Sequence, residues 1–373
     1  MHTQRHALPT SSIGTHRELV SDHFGVPGHG PKAYLHAALH ADEIPGMLVA
    51  HHLRQRLLKL EQSGQISGEI ILVSVANPIG LAQSEHGMLH GRFERDSGIN
   101  FNRGYFNPVP ALKLALAGKL GADAARNVAV IRQCAKEVVA EWATRTETEA
   151  LKKILLGMAI DADIMLDLHC DSEAVLHLYT GTPLAQAVKP LAALLGARAV
   201  LLATESGEQP FDEACGRIWW ELAAHFDDVP IPPACLSVTV EFRGQLDVSH
   251  ALAQSDTEAV LAFLAHAGVL DKALIPVSLP APLCAATPLA GVEPLVAPHA
   301  GVLVFAAVPG QILQPGELVA EIIDPVEGTT TALHASIGGV LFARTLQRFV
   351  HRGGSVAKIA GAVAFRTGNL LGQ

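Results

Sequence analysis

The chain has 373 residues, of which 49% are hydrophobic and 17% are charged, and its formal net charge is -9. This composition indicates a globular protein with room for two domains. The acidic balance and the lack of a basic run argue against nucleic acid and anionic membranes as partners.

The cysteines and the apolar stretches indicate the cellular compartment in which the protein is expected. Five scattered cysteines without a CxxC pair predict neither a disulfide framework nor a cysteine metal site, and they favour a reducing cytoplasm. The N-terminal residues lack the apolar core of a secretory signal, and the apolar stretch at 259–270 is too short to span a bilayer. We therefore expect a soluble, cytoplasmic protein.

Short apolar strands alternate with helical segments through the first two thirds of the chain. Strands are predicted at 33–39, from residue 68, and at 162–168, 197–203 and 237–242. Helices are predicted at 46–60 after Pro45, within 111–158, at 184–195, and at 255–266 with Ser255 or Asp256 as its cap. This alternation predicts an α/β fold with a mixed, largely parallel sheet flanked by helices.

The pattern changes after about residue 272, where a proline-rich stretch leads into short strands punctuated by glycine. Residues 301–322 and 339–359 resemble each other, which predicts a small β-barrel or sandwich built from two copies of one unit. We expect a catalytic α/β domain at 1–272 and a β-domain at 275–373. The second domain resembles a biotinyl/lipoyl-type fold, but the stretch between the repeats has no lysine to modify, so we expect a structural or interface role.

Two histidines and a glutamate follow predicted strands. His40 and Glu43 stand three residues apart after the first strand, and His169 comes directly after the strand at 162–168. Two histidines and one carboxylate are the protein ligands of a catalytic zinc ion with a position left for water. The same ligand set also suits cobalt, manganese or iron.

Two further carboxylates lie on these apolar strands. Asp167 points to the same side of its strand as His169, so it either orients a ligand histidine or caps a loop or pairs with a lysine. Glu241 is costly in an apolar strand unless it is paired or near a metal. It is either a general base for proton transfer or one half of a salt bridge to Arg243.

A glycine-flanked polar loop carries Asn102 and Arg103, with Arg92 and Arg95 before them. An arginine presents a planar fork that matches a carboxylate in two hydrogen bonds. Arg92 and Arg95 are candidates for neutralising an oxyanion, or they solvate the loop.

Five motifs, taken in order, resemble one family. They are HADEIPG, NP-x-G, RFERD…NFNR, DLH and VEFRG, over roughly residues 30–250. The chain resembles the zinc carboxypeptidase-like superfamily and, within it, the succinylglutamate desuccinylase/aspartoacylase branch. The resemblance implies that His40, Glu43 and His169 bind one zinc ion per chain, that Glu241 activates water, that Asn102 and Arg103 hold a substrate carboxylate, and that Arg92 polarises the scissile carbonyl. Asn100 stands where an aspartate is common, and Arg95 is an alternative to Arg92.

The leading hypothesis is therefore a zinc-dependent hydrolase that cleaves the amide bond of a small N-acyl amino acid bearing a carboxylate. A zinc carboxypeptidase acting on peptides is one alternative. A non-catalytic zinc protein that assembles through its β-domain is another. A homo-oligomer is compatible with each of them.

Overall fold

A computed structural model describes residues 1–274 and 278–371. Residues 275–277, which open the predicted second domain, and residues 372–373 at its end lie outside the described residues. The helices are α1 (Pro45–Gln62), α2 (Pro78–Leu81), α3 (Val109–Ala115), α4 (Ala124–Glu141), α5 (Glu147–Ala159), α6 (Lys189–Leu195), α7 (Phe211–His225) and α8 (His250–His266).

The strands fall into two groups along the chain. The first group is β1 (His2–Ala7), β2 (Glu18–Gly25), β3 (Lys32–Ala37), β4 (Glu69–Val73), β5 (Ser84–Glu85), β6 (Met88–Leu89), β7 (Ile164–Asp171), β8 (Glu173–Ala174), β9 (His177–Gly181), β10 (Ala199–Ala203), β11 (Leu236–Gly244) and β12 (Ala286–Pro288). The second is β13 (Val292–Val296), β14 (Gly301–Phe305), β15 (Ile312–Leu313), β16 (Leu318–Asp324), β17 (Thr329–His334), β18 (Gly339–Arg344), β19 (Phe349–Val350) and β20 (Ser355–Ala360).

The main sheet has nine strands in the order β1-β2-β4-β3-β7-β11-β9-β10-β12. Strands β4, β3, β7 and β11 run parallel at its centre, and β9, β10 and β12 form a second parallel group that is antiparallel to β11. The N-terminal hairpin β1–β2 adds antiparallel strands at one edge, which the sequence did not predict. The mixed, largely parallel sheet of the prediction is confirmed.

Helices cover both faces of this sheet because its central strands are apolar on both sides. On one face, Leu53 of α1 and Leu264 of α8 are completely buried in one hydrophobic cluster. On the other, Ile131 of α4, Leu155 of α5 and Trp219 of α7 are completely buried in a second. None of the helices within the described ranges is long and apolar enough to cross a membrane.

Several element boundaries differ from the prediction. Helix α8 begins at His250, because the side chain of Ser249 caps it by accepting a hydrogen bond from the Leu252 N–H. The predicted caps at 255–256 lie inside the helix, where Asp256 pairs with Arg243. Helix α6 begins at Lys189 rather than at residue 184. Helix α7 and strand β9 were not predicted.

The C-terminal region is β-rich, as expected, and its strands pair antiparallel. Its two sheets run in the orders β13-β20-β18-β15 and β17-β16-β14-β19. Each predicted repeat contributes three strands, and the short middle strand of each pairs with the other repeat: β15 pairs with β18, and β19 pairs with β14. The internal similarity of the sequence thus corresponds to an exchange of strands between the two copies.

The two regions share strands. Strand β8 leaves the main region and pairs with β18, while β12 joins the edge of the main sheet beside β10. Two ion pairs accompany β8: Arg344 Nε lies 2.6 Å from Glu173 Oε2, and Lys358 Nζ lies 2.6 Å from Asp171 Oδ2. The β-rich region is therefore fixed beside the carboxyl end of β7.

Candidate active site

The predicted site residues meet at one edge of the main sheet. Strands β3, β7 and β11 are adjacent and parallel, so their carboxyl ends lie together. His40 follows β3, His169 lies near the end of β7, and Glu241 stands opposite His169 in the register of β11. All three line a cavity of about 700 Å³ between the α/β region and the β-rich region.

His40, Glu43 and His169 are buried and face one another. His40 Nδ1 lies 2.9 Å from Glu43 Oε1, and His169 Nδ1 lies 2.7 Å from Glu43 Oε2. The potential ligand atoms of the three side chains are all within 4.8 Å of one another. This group could hold a metal ion, because two imidazole nitrogens and a carboxylate converge with their donor atoms toward one point.

Each histidine has an outer nitrogen, Nε2, which is the ring nitrogen that does not contact Glu43. Both of these Nε2 atoms are hydrogen-bonded to other side chains. His40 Nε2 lies 2.7 Å from Asn100 Oδ1, and His169 Nε2 lies 2.8 Å from Asp167 Oδ1. A histidine that donates its outer N–H to an oxygen presents its other nitrogen to a metal. The structure therefore places Asp167 against the histidine rather than at a loop cap or a lysine, and it places Asn100 in the corresponding position for His40.

A buried polar chain continues behind Asp167. His36 Nε2 lies 2.6 Å from Asp167 Oδ1, and the hydroxyl of Tyr34 lies 3.0 Å from His36 Nδ1. All of these side chains are on the central strands β3 and β7. Since they are completely buried and hydrogen-bonded, the network fixes the orientation of His169 from inside the sheet.

The electrostatics of the group differ between the two histidines. Burial and the Arg92 guanidinium lower the pKa of His40 to about 4. Burial also opposes the charged form of His169, but the carboxylates of Asp167 and Glu43 outweigh it and raise the pKa of His169 well above its ordinary value. Burial alone raises the pKa of Glu43, but the two histidines reverse this effect and hold it well below its usual range.

The loop between β3 and α1 takes its shape from close backbone contacts. Asn77 donates a hydrogen bond to the Leu39 carbonyl, at 2.9 Å, and caps α2 by accepting from Gly80. The Gly91 carbonyl accepts a hydrogen bond from the Ala41 N–H at 3.1 Å. A Cβ on Gly91 would collide with the backbone N of Asp42, so only glycine fits there.

Glu241 lines the cavity and does not pair with Arg243. Arg243 instead binds Asp256, while Glu241 Oε2 is buried without a hydrogen-bond partner among the described residues. Burial and the nearby Glu43 carboxylate raise the pKa of Glu241 to about 8. A carboxyl group in this state can exchange a proton near neutral pH.

The polar loop brings three of its four candidates to the cavity. Arg92 Nη1 lies 3.2 Å from Glu43 Oε1, whereas Arg95 pairs with Glu85 at 3.1 Å on the surface. Asn102 lines the cavity, with its Oδ1 accepting from the Phe211 N–H at 2.8 Å. Its Nδ2 lies 3.3 Å from Asp167 Oδ2 and 3.3 Å from His169 Nε2.

Arg103 lines the same cavity and is buried. Its Nη1 donates to the Asn102 carbonyl at 2.7 Å, and its own carbonyl accepts from Lys152 Nζ at 2.6 Å. Burial and the charge of Arg92 lower the pKa of Arg103. Lys152 was missed in the sequence because a lysine inside an amphipathic helix carries no signal of burial.

Several residues that line the cavity were also missed. They come from the segment before α7, from α7 itself and from the β-rich region, and include Ser206, Asp212, Glu213, Lys358 and Arg366. No local motif marks them, since they reach the cavity only through the packing of distant segments. The sequence predicted a separate β-domain, but it did not predict that residues of this domain line the cavity.

Comparison with known proteins identifies the family. Residues 29–267 match the family model of the succinylglutamate desuccinylase/aspartoacylase catalytic domain. No curated protein matched the chain.

Several solved structures share the fold. A succinylglutamate desuccinylase/aspartoacylase family protein from Shewanella amazonensis SB2B is 24% identical with a TM-score of 0.83, covering 96% of this chain and 98% of that one. One from Shewanella frigidimarina NCIMB 400 is 22% identical with a TM-score of 0.82, covering 96% and 97%. The product-bound ectoine utilization protein EutE (DoeB) from Ruegeria pomeroyi is 17% identical with a TM-score of 0.68, covering 96% and 94%.

At these identities the solved structures establish the fold, and the family model establishes the relationship. It covers more than half of the chain, including the His40 loop, the polar loop, β7 and β11. The chain belongs to the succinylglutamate desuccinylase/aspartoacylase family, whose name implies deacylase activity.

Proposed function

We propose that this protein is a zinc-dependent hydrolase that cleaves the amide bond of a small N-acyl amino acid. The observation that carries the proposal is the convergence of His40 Nδ1, His169 Nδ1 and the Glu43 carboxylate near Glu241, whose buried Oε2 has no hydrogen-bond partner among the described residues. These residues would hold the zinc ion. When bound, zinc acts as a Lewis acid toward water and toward a carbonyl oxygen.

Glu241 is the proposed general base. Its Oε2 takes a proton from the attacking water and later gives that proton to the nitrogen of the leaving amine. Its burial supports this role, and so does the free Oε2, because no hydrogen bond from the described part of the chain competes for the proton. The outward hydrogen bonds of His40 and His169 hold their Nδ1 atoms in place throughout.

Arg92 is the proposed group that stabilises the negative charge on the carbonyl oxygen. It contacts Glu43 through Nη1, lines the cavity and is partly exposed, which leaves further N–H donors for a substrate oxygen. The surface position of Arg95 favours Arg92 for this role.

Arg103 is the proposed anchor for the substrate carboxylate, with Asn102 beside it. The Asn102 side chain already binds Phe211 and lies near Asp167. Because its Nδ2 also lies near His169, we propose that Arg103 carries most of the recognition. The β-rich region lines the cavity, which favours a small substrate over an extended peptide.

A panel of N-acetyl, N-formyl and N-succinyl amino acids tests the proposal. The purified protein would be assayed as prepared, after chelation and after zinc is restored, with release of the free amine as the readout. We expect release of one amine that chelation abolishes and zinc restores. Activity on peptides alone would favour the alternative of a zinc carboxypeptidase. No release of amine from any N-acyl amino acid would contradict the deacylase proposal.

A further inference from the structure

The C-terminal tail lies along the wall of the cavity. The N–H groups of Leu370 and Leu371 lie 2.9 and 3.3 Å from the carbonyl oxygen of Ser206, which belongs to the segment before α7. Both leucine side chains pack against a hydrophobic cluster that includes residues of β9, β10 and β18. The tail is therefore docked between the two regions and brings its own side chains to the site.

Arg366 is the cationic side chain of this tail, and it lines the same cavity as Arg103. Its Nη1 donates to the carbonyl of Val292 at 3.4 Å, and its Nη2 donates to the carbonyl of Leu370 at 3.0 Å. No carboxylate of the described residues forms an ion pair with it. Backbone carbonyls orient the guanidinium but do not neutralise it, and further N–H donors remain.

The other cations of the β-rich region that line the cavity are neutralised. Arg344 pairs with Glu173, and Lys358 pairs with Asp171, each at 2.6 Å. A carboxylate entering the cavity would meet two cations whose charge an internal carboxylate already offsets. Arg366 can bind an incoming carboxylate without breaking an ion pair within the described part of the chain.

Ser206 supplies a second and independent observation. Its side chain lines the cavity and the residue is only 4% exposed, yet its hydroxyl has no hydrogen-bond partner among residues 1–274 and 278–371. The backbone of Ser206 is fully used, since its N–H donates to Glu213 Oε1 at 2.5 Å and its carbonyl binds the tail. A buried hydroxyl without a partner is unfavourable, and a ligand oxygen would satisfy it.

Glu213 is the acidic side chain in contact with Ser206, and it is already engaged. Besides the Ser206 N–H, it lies 3.4 Å from Arg217 Nη1, which also pairs with Glu205 at 3.1 Å. The positive charge of Arg217, which lies on α7, thus partly offsets the negative charge of Glu213.

We propose that Arg366 and the Ser206 hydroxyl form a second carboxylate subsite in the cavity and determine specificity for the substrate. This inference rests on the proposed function, in which Arg103 holds one carboxylate of an N-acyl amino acid. The second subsite takes a further carboxylate of the same molecule, so substrates with two carboxylates are preferred over those with one. Arg366 is a specificity residue and takes no part in bond cleavage.

The test compares N-acetylglutamate with N-acetylglutamine, in which an amide replaces the side-chain carboxylate. Arg366→Gln keeps N–H groups for the neighbouring carbonyls and removes the charge, and Arg366→Lys keeps the charge without the fork. In the zinc-loaded full chain, we expect Arg366→Gln to lower the ratio of kcat/KM for the acid over the amide by about 10- to 100-fold. Ser206→Ala should shift the ratio in the same direction by less, and Arg366→Lys should fall between wild type and Arg366→Gln.

Arg352→Gln is the matched control, because Arg352 is an exposed arginine of the same region that does not line the cavity. It should leave the ratio unchanged. A purely structural role for Arg366 predicts equal losses on both substrates. Equal losses, or an unchanged ratio in Arg366→Gln, would overturn the proposal.

Direct binding separates this inference from the proposed function. Calorimetric titration of the chelated protein with the same two compounds requires no catalysis. Tighter binding of N-acetylglutamate by wild type, lost in Arg366→Gln, supports the subsite even if neither compound is hydrolysed. No preference in the wild type contradicts it, whether or not the deacylase assay succeeds.

Discussion

At the scale of single residues, the site depends on which nitrogen of each histidine is free to bind a ligand. Asp167 and Asn100 occupy the outer nitrogens of His169 and His40, so both rings present Nδ1 to Glu43. The two outer partners differ in charge, because one is a carboxylate and the other a neutral amide. His169 is therefore the more strongly polarised of the two.

Replacement of Glu241 separates metal binding from catalysis. Glu241→Gln removes the group that moves the proton but leaves His40, Glu43 and His169 intact. We expect zinc content near one ion per chain and a fall in kcat of about 10²- to 10⁴-fold. Metal analysis and steady-state kinetics on the same preparation check this, and a variant with wild-type kcat would exclude Glu241 as the base.

Lys152 predicts a pH dependence of stability. Burial lowers the pKa of Lys152 to about 8 from an ordinary value of 10.5. Below pH 8 the lysine is charged in both states, and the folded state bears the full cost of burying that charge. Between pH 8 and 10.5 the unfolded chain binds more protons, so the contribution of Lys152 to the free energy of unfolding rises with pH.

The comparison variant is Lys152→Met. From pH 8 to 10.5, wild type should gain about 3 kcal/mol in free energy of unfolding relative to this variant. Urea unfolding at a series of pH values measures the difference. Lys119→Met, at an exposed position, should follow the wild type. A constant difference between wild type and Lys152→Met would show that Lys152 is not desolvated in the folded state.

At the scale of elements, the loop between β3 and α1 positions two of the three metal-binding candidates. Its path depends on the Asn77 side chain and on the backbone of Gly91, which lies against Ala41 and Asp42. These contacts come from the segment 77–91, which is distant in sequence from β7. The NP-x-G motif thus has a physical role in holding the loop that carries His40.

Gly91→Ala tests this contact. The added methyl group meets the backbone at Asp42 rather than a movable side chain, so the loop must shift. We expect a loss of about 1–3 kcal/mol in stability together with weaker zinc binding. Thermal unfolding and metal titration measure the two effects. Gly121→Ala, where a Cβ meets nothing within 4 Å, should behave as wild type, and equal behaviour of both variants would exclude the contact.

At the scale of the whole molecule, the two regions are joined by exchanged strands. The sequence divides at residues 272–275 into two regions. We propose that these two regions unfold together rather than independently. Strand β8 belongs to the sheet of the C-terminal region and β12 to the main sheet. The Lys358–Asp171 pair adds a contact next to the site.

A protease site inserted between Ala281 and Pro282, in an exposed segment, tests this proposal. After cleavage we expect the two fragments to elute together on size exclusion, because β8, β12 and the ion pairs still connect them. The uncut protein should unfold in one calorimetric transition. Separated fragments, or two transitions in the uncut protein, would show independent domains.

The sequence by itself determined the local features of this protein. Apolar runs that end in polar residues gave the central strands and the positions of His40, His169 and Glu241, because a parallel sheet collects the carboxyl ends of its strands at one edge. The self-similarity of residues 301–322 and 339–359 correctly indicated a β-rich region. Family resemblance supplied the roles of the residues, which remain proposals.

Only the tertiary structure decided which partners these residues have. The sequence left three roles open for Asp167, namely orienting a histidine, capping a loop or pairing with a lysine. It left Glu241 as either a base or half of a salt bridge, because residues near in sequence do not decide these contacts. The fold placed Asp256 near Arg243 and the tail with Arg366 at the cavity. Such contacts join segments far apart in sequence, and their geometry follows from packing of the whole chain rather than from local pattern.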